Sequence, residues 1–303
     1  MHLTSTLLIC TLLSTLCFAQ KGKPTPVIDW GDYQIGENLS FVRGIGSVRV
    51  DTYEPAKGHR PQRTSAVTYH CDESGQINRV VETGTTNQDT LFQHEFSYHK
   101  GQAYRKLTQD HRYGRSFWEG YRFTTHQKVY QEKSYELLPN EDRLLLNSRQ
   151  YIYDDGANRL LKSIRTLENN QIVEVARFDY DQSLRVVGET AEDNRGAITR
   201  SVVYRYDQHD RVAETLVEEM GSTPARYVYL YNEQGKPMEI KWFQGEQLKG
   251  VALYEYDQAG RLTNLSKTVD PQTSRPRSVY KVFSYEAAQP VELEGEASIA
   301  ATD

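Results

Sequence analysis

The chain has 303 residues, of which 25% are charged and 38% hydrophobic, with a formal net charge of −5. That balance disfavours nucleic-acid binding, and no segment after Ala19 is apolar enough for a transmembrane helix. The polar average hydropathy and the acidic ending argue against an outer-membrane barrel.

In chain order, Met1 to Ala19 carries an apolar run, Leu7 to Leu16, that ends in Cys17-Phe18-Ala19 before Gln20-Lys21. This pattern predicts a cleaved secretory signal, and so a secreted, periplasmic or envelope protein. A lipoprotein cut at Cys17 is the alternative, against which Leu16 is large for the position before the cut. Removing the segment leaves Cys71 as the one cysteine, so no intrachain disulfide is expected. Residues 20–64 are expected to form a basic, proline-containing linker followed by capping strands at Trp30 to Tyr33 and Phe41 to Val50, with Tyr53 to Thr64 as a loop.

From 65 to 286 one phrase recurs: Tyr204-Arg205-Tyr206-Asp207, Tyr229-Leu230-Tyr231-Asn232 and Tyr254-Glu255-Tyr256-Asp257. Tyr151-Ile152-Tyr153-Asp154 and Phe178-Asp179-Tyr180-Asp181 match it, and weaker copies end at Tyr69, Tyr98, Phe123 and Tyr285. The second aromatics fall at 69, 98, 123, 153, 180, 206, 231, 256 and 285, steps of 25 to 30 residues that mark a repeat architecture. Within Val202 to Tyr206, alternate side chains share a face, as in a strand. The Asp or Asn leaves the strand by bonding nearby backbone, and Gly235 or Gly260 supplies the positive φ of a turn. One repeat is thus two antiparallel strands and two turns.

The phrase Tyr254-Glu255-Tyr256-Asp257-Gln258-Ala259-Gly260-Arg261-Leu262 resembles the tyrosine-aspartate (YD, or Rhs-type) repeat of secreted and surface bacterial proteins. The resemblance covers Tyr151 to Leu265 and, loosely, Val67 to Tyr285. It implies stacked β-hairpins in long antiparallel sheets, which curl into a hollow shell in the largest members. Here the glycine is replaced at Ser183-Leu184 and His209-Asp210, and Lys236 stands for Arg. The expected fold is therefore all-β: one extended, curved sheet of repeated hairpins, partly curled at most, because the chain is short for a closed shell. Such a sheet has two free edges, which an atypical first unit would cap and which could pair with another copy. Residues 287–303, with Glu292, Glu294, Glu296 and Asp303 and no Lys or Arg, are expected to be a disordered acidic tail.

Candidate chemistry is sparse. His70, Cys71, His94, His99, His111 and His126 crowd the first half, and His94, His99 and Cys71 are the candidate metal ligands. None has a ligand spacing, so no metal or cofactor is expected. Asp154, Asp181, Asp207 and Asp257 recur directly before turns, as turn-formers do, and the basic residues behind them would form a charge ladder. Tyr153, Tyr180, Tyr204, Tyr206, Tyr229, Tyr231, Tyr254 and Tyr256 share one face. They supply cross-strand packing, or an exposed aromatic ladder that stacks a sugar or peptide. The leading expectation is an exported non-enzymatic module that binds carbohydrate or protein at the cell surface. The alternatives are a hydrolase or metal-dependent enzyme using the His-rich half, and a partner of a secreted toxin.

Overall fold

The computed structural model describes residues 45–55, 60–84, 89–99, 102–126, 128–140, 142–156, 159–272 and 276–287. The expected signal, the linker and nearly all of the tail lie outside them. All eighteen described elements are strands: β1 (Ile45–Glu54), β2 (Gln62–Cys71), β3 (Ile77–Thr83), β4 (Thr90–His99), β5 (Gln102–Asp110), β6 (Arg115–Phe123), β7 (Val129–Leu137), β8 (Arg143–Tyr153) and β9 (Leu160–Leu167). They continue as β10 (Ile172–Tyr180), β11 (Val186–Glu192), β12 (Ile198–Tyr206), β13 (Val212–Glu219), β14 (Ala225–Tyr231), β15 (Pro237–Gln244), β16 (Gln247–Tyr256), β17 (Leu262–Val269) and β18 (Arg277–Ala287).

Each strand pairs antiparallel with the next, and β18 returns to β1, with Val48 opposite Tyr285 on one side and Tyr69 on the other. The sheet is closed. This corrects the expectation of an open, extended sheet, and with it the expectation of free edges for self-association. The capping strand expected at Trp30 to Tyr33 lies outside the described residues, and the loop expected at Tyr53 to Thr64 is shorter: Tyr53 lies on β1 opposite both Tyr280 and Arg63, and the chain is back in β2 by Gln62.

Two features account for closure. A hairpin meander has one apolar face, and with no second layer to cover it the sheet buries that face by closing on itself. Exposure alternates accordingly along β12: Val202 and Tyr204 are buried inside at 1% and 3%, while Val203 is 43% exposed outside. In addition, a register shift falls at the last residue before the turn in eight units: at the second aromatic in seven, between Ser97 and Tyr98, Arg122 and Phe123, Ile152 and Tyr153, Asp179 and Tyr180, Arg205 and Tyr206, Leu230 and Tyr231, and Glu255 and Tyr256, and at Cys71, two residues beyond Tyr69, in the first. A bulge adds twist and bend, and repeating it at one end of every hairpin curls the sheet in one direction.

The outer face alternates charged groups with single aliphatics. Arg49–Asp51, Arg177–Glu192 and Arg205–Glu214 pair there beside Leu230 and Leu253. A lipid-facing barrel carries a continuous apolar band instead. No described helix is long and apolar enough to cross a membrane.

Candidate functional site inside the ring

The repeat phrase resolves into a ladder. In each good unit the Asp or Asn closes its turn: Asp181 Oδ1 accepts the backbone N–H groups of Ser183 and Arg185, Asp207 those of His209 and Arg211, and Asn232 those of Gln234 and Lys236. The second carboxylate oxygen takes the guanidinium four residues on, at 2.7 Å for Arg185, 2.7 Å for Arg211 and 2.6 Å for Arg261. The backbone N–H and guanidinium of Arg185 together hold the Asp181 carboxyl below its ordinary value.

That cation then reaches the next unit. Arg185 stacks over the Tyr206 ring at 4.5 Å, Arg211 over Tyr231 at 4.5 Å, and Arg261 over Tyr285 at 5.0 Å. The same tyrosines donate back to the strand that follows the cation: Tyr180 to the Leu160 carbonyl at 3.0 Å, Tyr206 to Val186 at 2.6 Å, Tyr231 to Val212 at 2.7 Å and Tyr256 to Pro237 at 2.8 Å. Burial pushes the Tyr206 phenol up to about 12, so it stays a donor. The charge ladder thus runs within each turn and joins units through cation–π contacts worth about 0.5–1 kcal/mol each at such sites.

The first tyrosines of the phrase point into the ring. Tyr204, Tyr229 and Tyr254 are buried at 3–4% exposure, and Tyr153 shares their inward face, half-buried. Tyr204, Tyr229 and Tyr254 therefore do not form the exposed aromatic ladder considered for them. Of the candidate metal ligands, His94 is buried with Nδ1 2.9 Å from Thr108 Oγ1, and desolvation and the charge of Lys106 lower its pKa to about 3. His99 is exposed at the end of β4, and Cys71 ends β2 with burial pushing its thiol up. Among the described residues no three His, Cys, Asp or Glu side chains gather as a metal site.

What the sequence reading missed is the chemistry of the inward mid-strand positions. From β14 through β18 and on to β4 they are largely apolar: Ile240, Ala252, Leu262, Leu265, Val48 and Val80 are 0–3% exposed, with Lys267, Glu82 and His94 as the polar side chains set among them. From β5 to β13 they carry charge. Lys106 Nζ lies 3.1 Å from both oxygens of Glu119, which also accepts the Tyr121 hydroxyl at 2.9 Å. Glu132 accepts Tyr151 at 2.8 Å, and burial raises its pKa against that bond. Arg149 meets Glu174 at 3.0 Å, and Arg200 meets Glu189 at 3.0 Å. This arc is buried at Lys106 and opens to solvent further round, where the side chains of Arg149 and Arg165 are 34% and 40% exposed. Two polar atoms within it, Arg165 Nε and the Tyr204 hydroxyl, are buried without a hydrogen-bond partner. Period-2 reading of β5 to β12 could have placed these charges on the inward face, had the ring been known to close.

No protein-family model and no curated protein matches the chain. Among solved structures it is similar to a porin-like protein from Bacteroides uniformis ATCC 8492, at 7% identity and a TM-score of 0.43, covering 80% of this chain and 98% of that one. It is also similar to TcdB2-TccC3, at 13% identity and a TM-score of 0.30 over 75% of this chain and 16% of that one. A third is the LolA superfamily protein NE2245 from Nitrosomonas europaea, at 10% identity and a TM-score of 0.29 over 86% and 94%.

Proposed function

We propose that the chain is an exported, non-enzymatic β-repeat module of the bacterial cell envelope that binds a polar ligand, a glycan or a segment of protein, through the interior of its ring. One observation carries this reading: the interior is divided between a dry wall and a partly solvated ionic arc. Residues of the repeat phrase are engaged by ladder contacts at the strand ends, whereas the ion-pairing residues of the arc lie outside the phrase. Export is supported by the apolar leader, and an envelope location by the leader together with the repeat phrase that resembles YD repeats.

The test is a glycan and peptide array probed with the purified chain from Gln20, repeated with one inward and one outward variant. Binding that weakens about tenfold in Arg200→Met and is unchanged in Arg205→Ala supports the interior. Binding insensitive to Arg200 and lost with Arg205 would move the function to the outer surface. Turnover of any captured glycan would overturn the non-enzymatic reading.

A further inference from the structure

We infer that Arg149 and Arg165 form an oxyanion subsite at the mouth of the ring away from the Asp–Arg turns, so that the ligand carries a carboxylate or phosphate group; this rests on the interior-binding proposal above. The two arginines stand directly opposite each other on β8 and β9, both facing inward. Like charges in that relation destabilise a sheet unless an anion lies between them. Glu174 on β10 is the carboxylate that bridges them, at 3.0 Å to Arg149 and 3.5 Å to Arg165.

One carboxylate leaves the pair short of acceptors. The contact to Arg165 is at the limit of a hydrogen bond, and Arg165 Nε is shielded from water with no partner. A guanidinium presents its donors as a planar fork that matches carboxylate and phosphate oxygens two at a time. The other acid on this row, Glu132, stands opposite Arg149 but accepts Tyr151, and burial favours its neutral form. Two cations therefore face the interior with Glu174 as the one carboxylate that bridges them, the other being engaged by Tyr151. Their partial exposure, 34% and 40%, lets a ligand reach them from the mouth.

Three probes distinguish the sources of such a group: glucuronate for an acidic glycan, inorganic phosphate for a free phosphate, and phosphatidylglycerol micelles for a lipid headgroup. Calorimetric titration of the chain from Gln20 is expected to give saturable binding of at least one probe. Arg165→Gln should weaken it about tenfold, whereas Glu174→Gln should strengthen it several-fold by removing the internal competitor. A purely structural ion network predicts no gain in Glu174→Gln. Absence of binding of all three probes to the wild type and to Glu174→Gln, both folded by circular dichroism, overturns the subsite, as does binding unchanged in Arg165→Gln. An array ligand that depends on Arg200 but is displaced by none of the probes would remove the subsite and leave the interior-binding proposal standing.

Discussion

The wall from β14 to β4 and the arc from β5 to β13 are built from the same hairpin, yet one interior is mostly aliphatic and aromatic and the other is lined by ion pairs. Their turns and bulges repeat around most of the ring, and so does the tyrosine that docks on the preceding unit. The difference lies almost wholly in inward mid-strand side chains. Wall-building and interior chemistry are thus separable in this fold: the first is set at strand ends, the second at strand centres. Burying apolar area stabilises the ring, while burying charge costs stability unless every charge is paired.

Substitutions can break that contrast at its strongest point. Lys106 is fully buried against Glu119, so Lys106→Ala should cost about 3–5 kcal/mol by leaving a carboxylate unpaired, while the double change Lys106→Met with Glu119→Leu should come close to neutral. Urea unfolding of the two variants measures this, and equal losses in the single and double variants would contradict it. On the dry side, Leu265→Ala should cost about 3 kcal/mol through a cavity that no charge rearrangement can offset, read from the same denaturation curves.

Acid should act on the junction of the two halves. His94 has a folded-state pKa of about 3 against an ordinary 6.5, so the unfolded chain takes up a proton that the folded chain refuses. Stability associated with this site is complete above pH 6.5 and is lost as pH falls from there towards 3. Between pH 7 and 4.5 the loss should reach about 2 kcal/mol, and His94→Gln should be flatter over that window. Parallel slopes for the two proteins would show that His94 is not the titrating group.

The smallest effect falls on the turns, where the arc departs from the later units. Leu184 and Asp210 adopt φ values of 62° and 61° at the turn position where Gly235 and Gly260 stand in later units. A side chain there is strained, so Leu184→Gly should stabilise by about 0.5–1 kcal/mol, visible as a raised thermal midpoint. Asp210 differs because it also accepts Arg185, and Asp210→Gly should gain less.

Much of the wall was legible from the chain alone. Tyr-x-Tyr-Asp spacing located the strand ends, Asp181, Asp207 and Asp257 were read as turn-formers, and the degenerate copies at Tyr69, Tyr98 and Phe123 fell at the ends of β2, β4 and β6. Period-2 alternation also put both tyrosines of each phrase on one face. These features depend on residues close in sequence, where backbone bonding and strand parity decide the outcome.

Closure was decided by tertiary structure, because the bend of a bulge matters only when summed over many hairpins. The pairing of β1 with β18 joins residues more than two hundred positions apart, for which no local signal exists. Closure also decided which face is inside, and so turned the tyrosine face inward and enclosed Arg149, Arg165 and Glu174, which the consecutive hairpins β8 to β10 had already set side by side. Local sequence determined the repeating hairpin; only the ring determined what those hairpins enclose, since enclosure is a property of strands that meet across the whole chain.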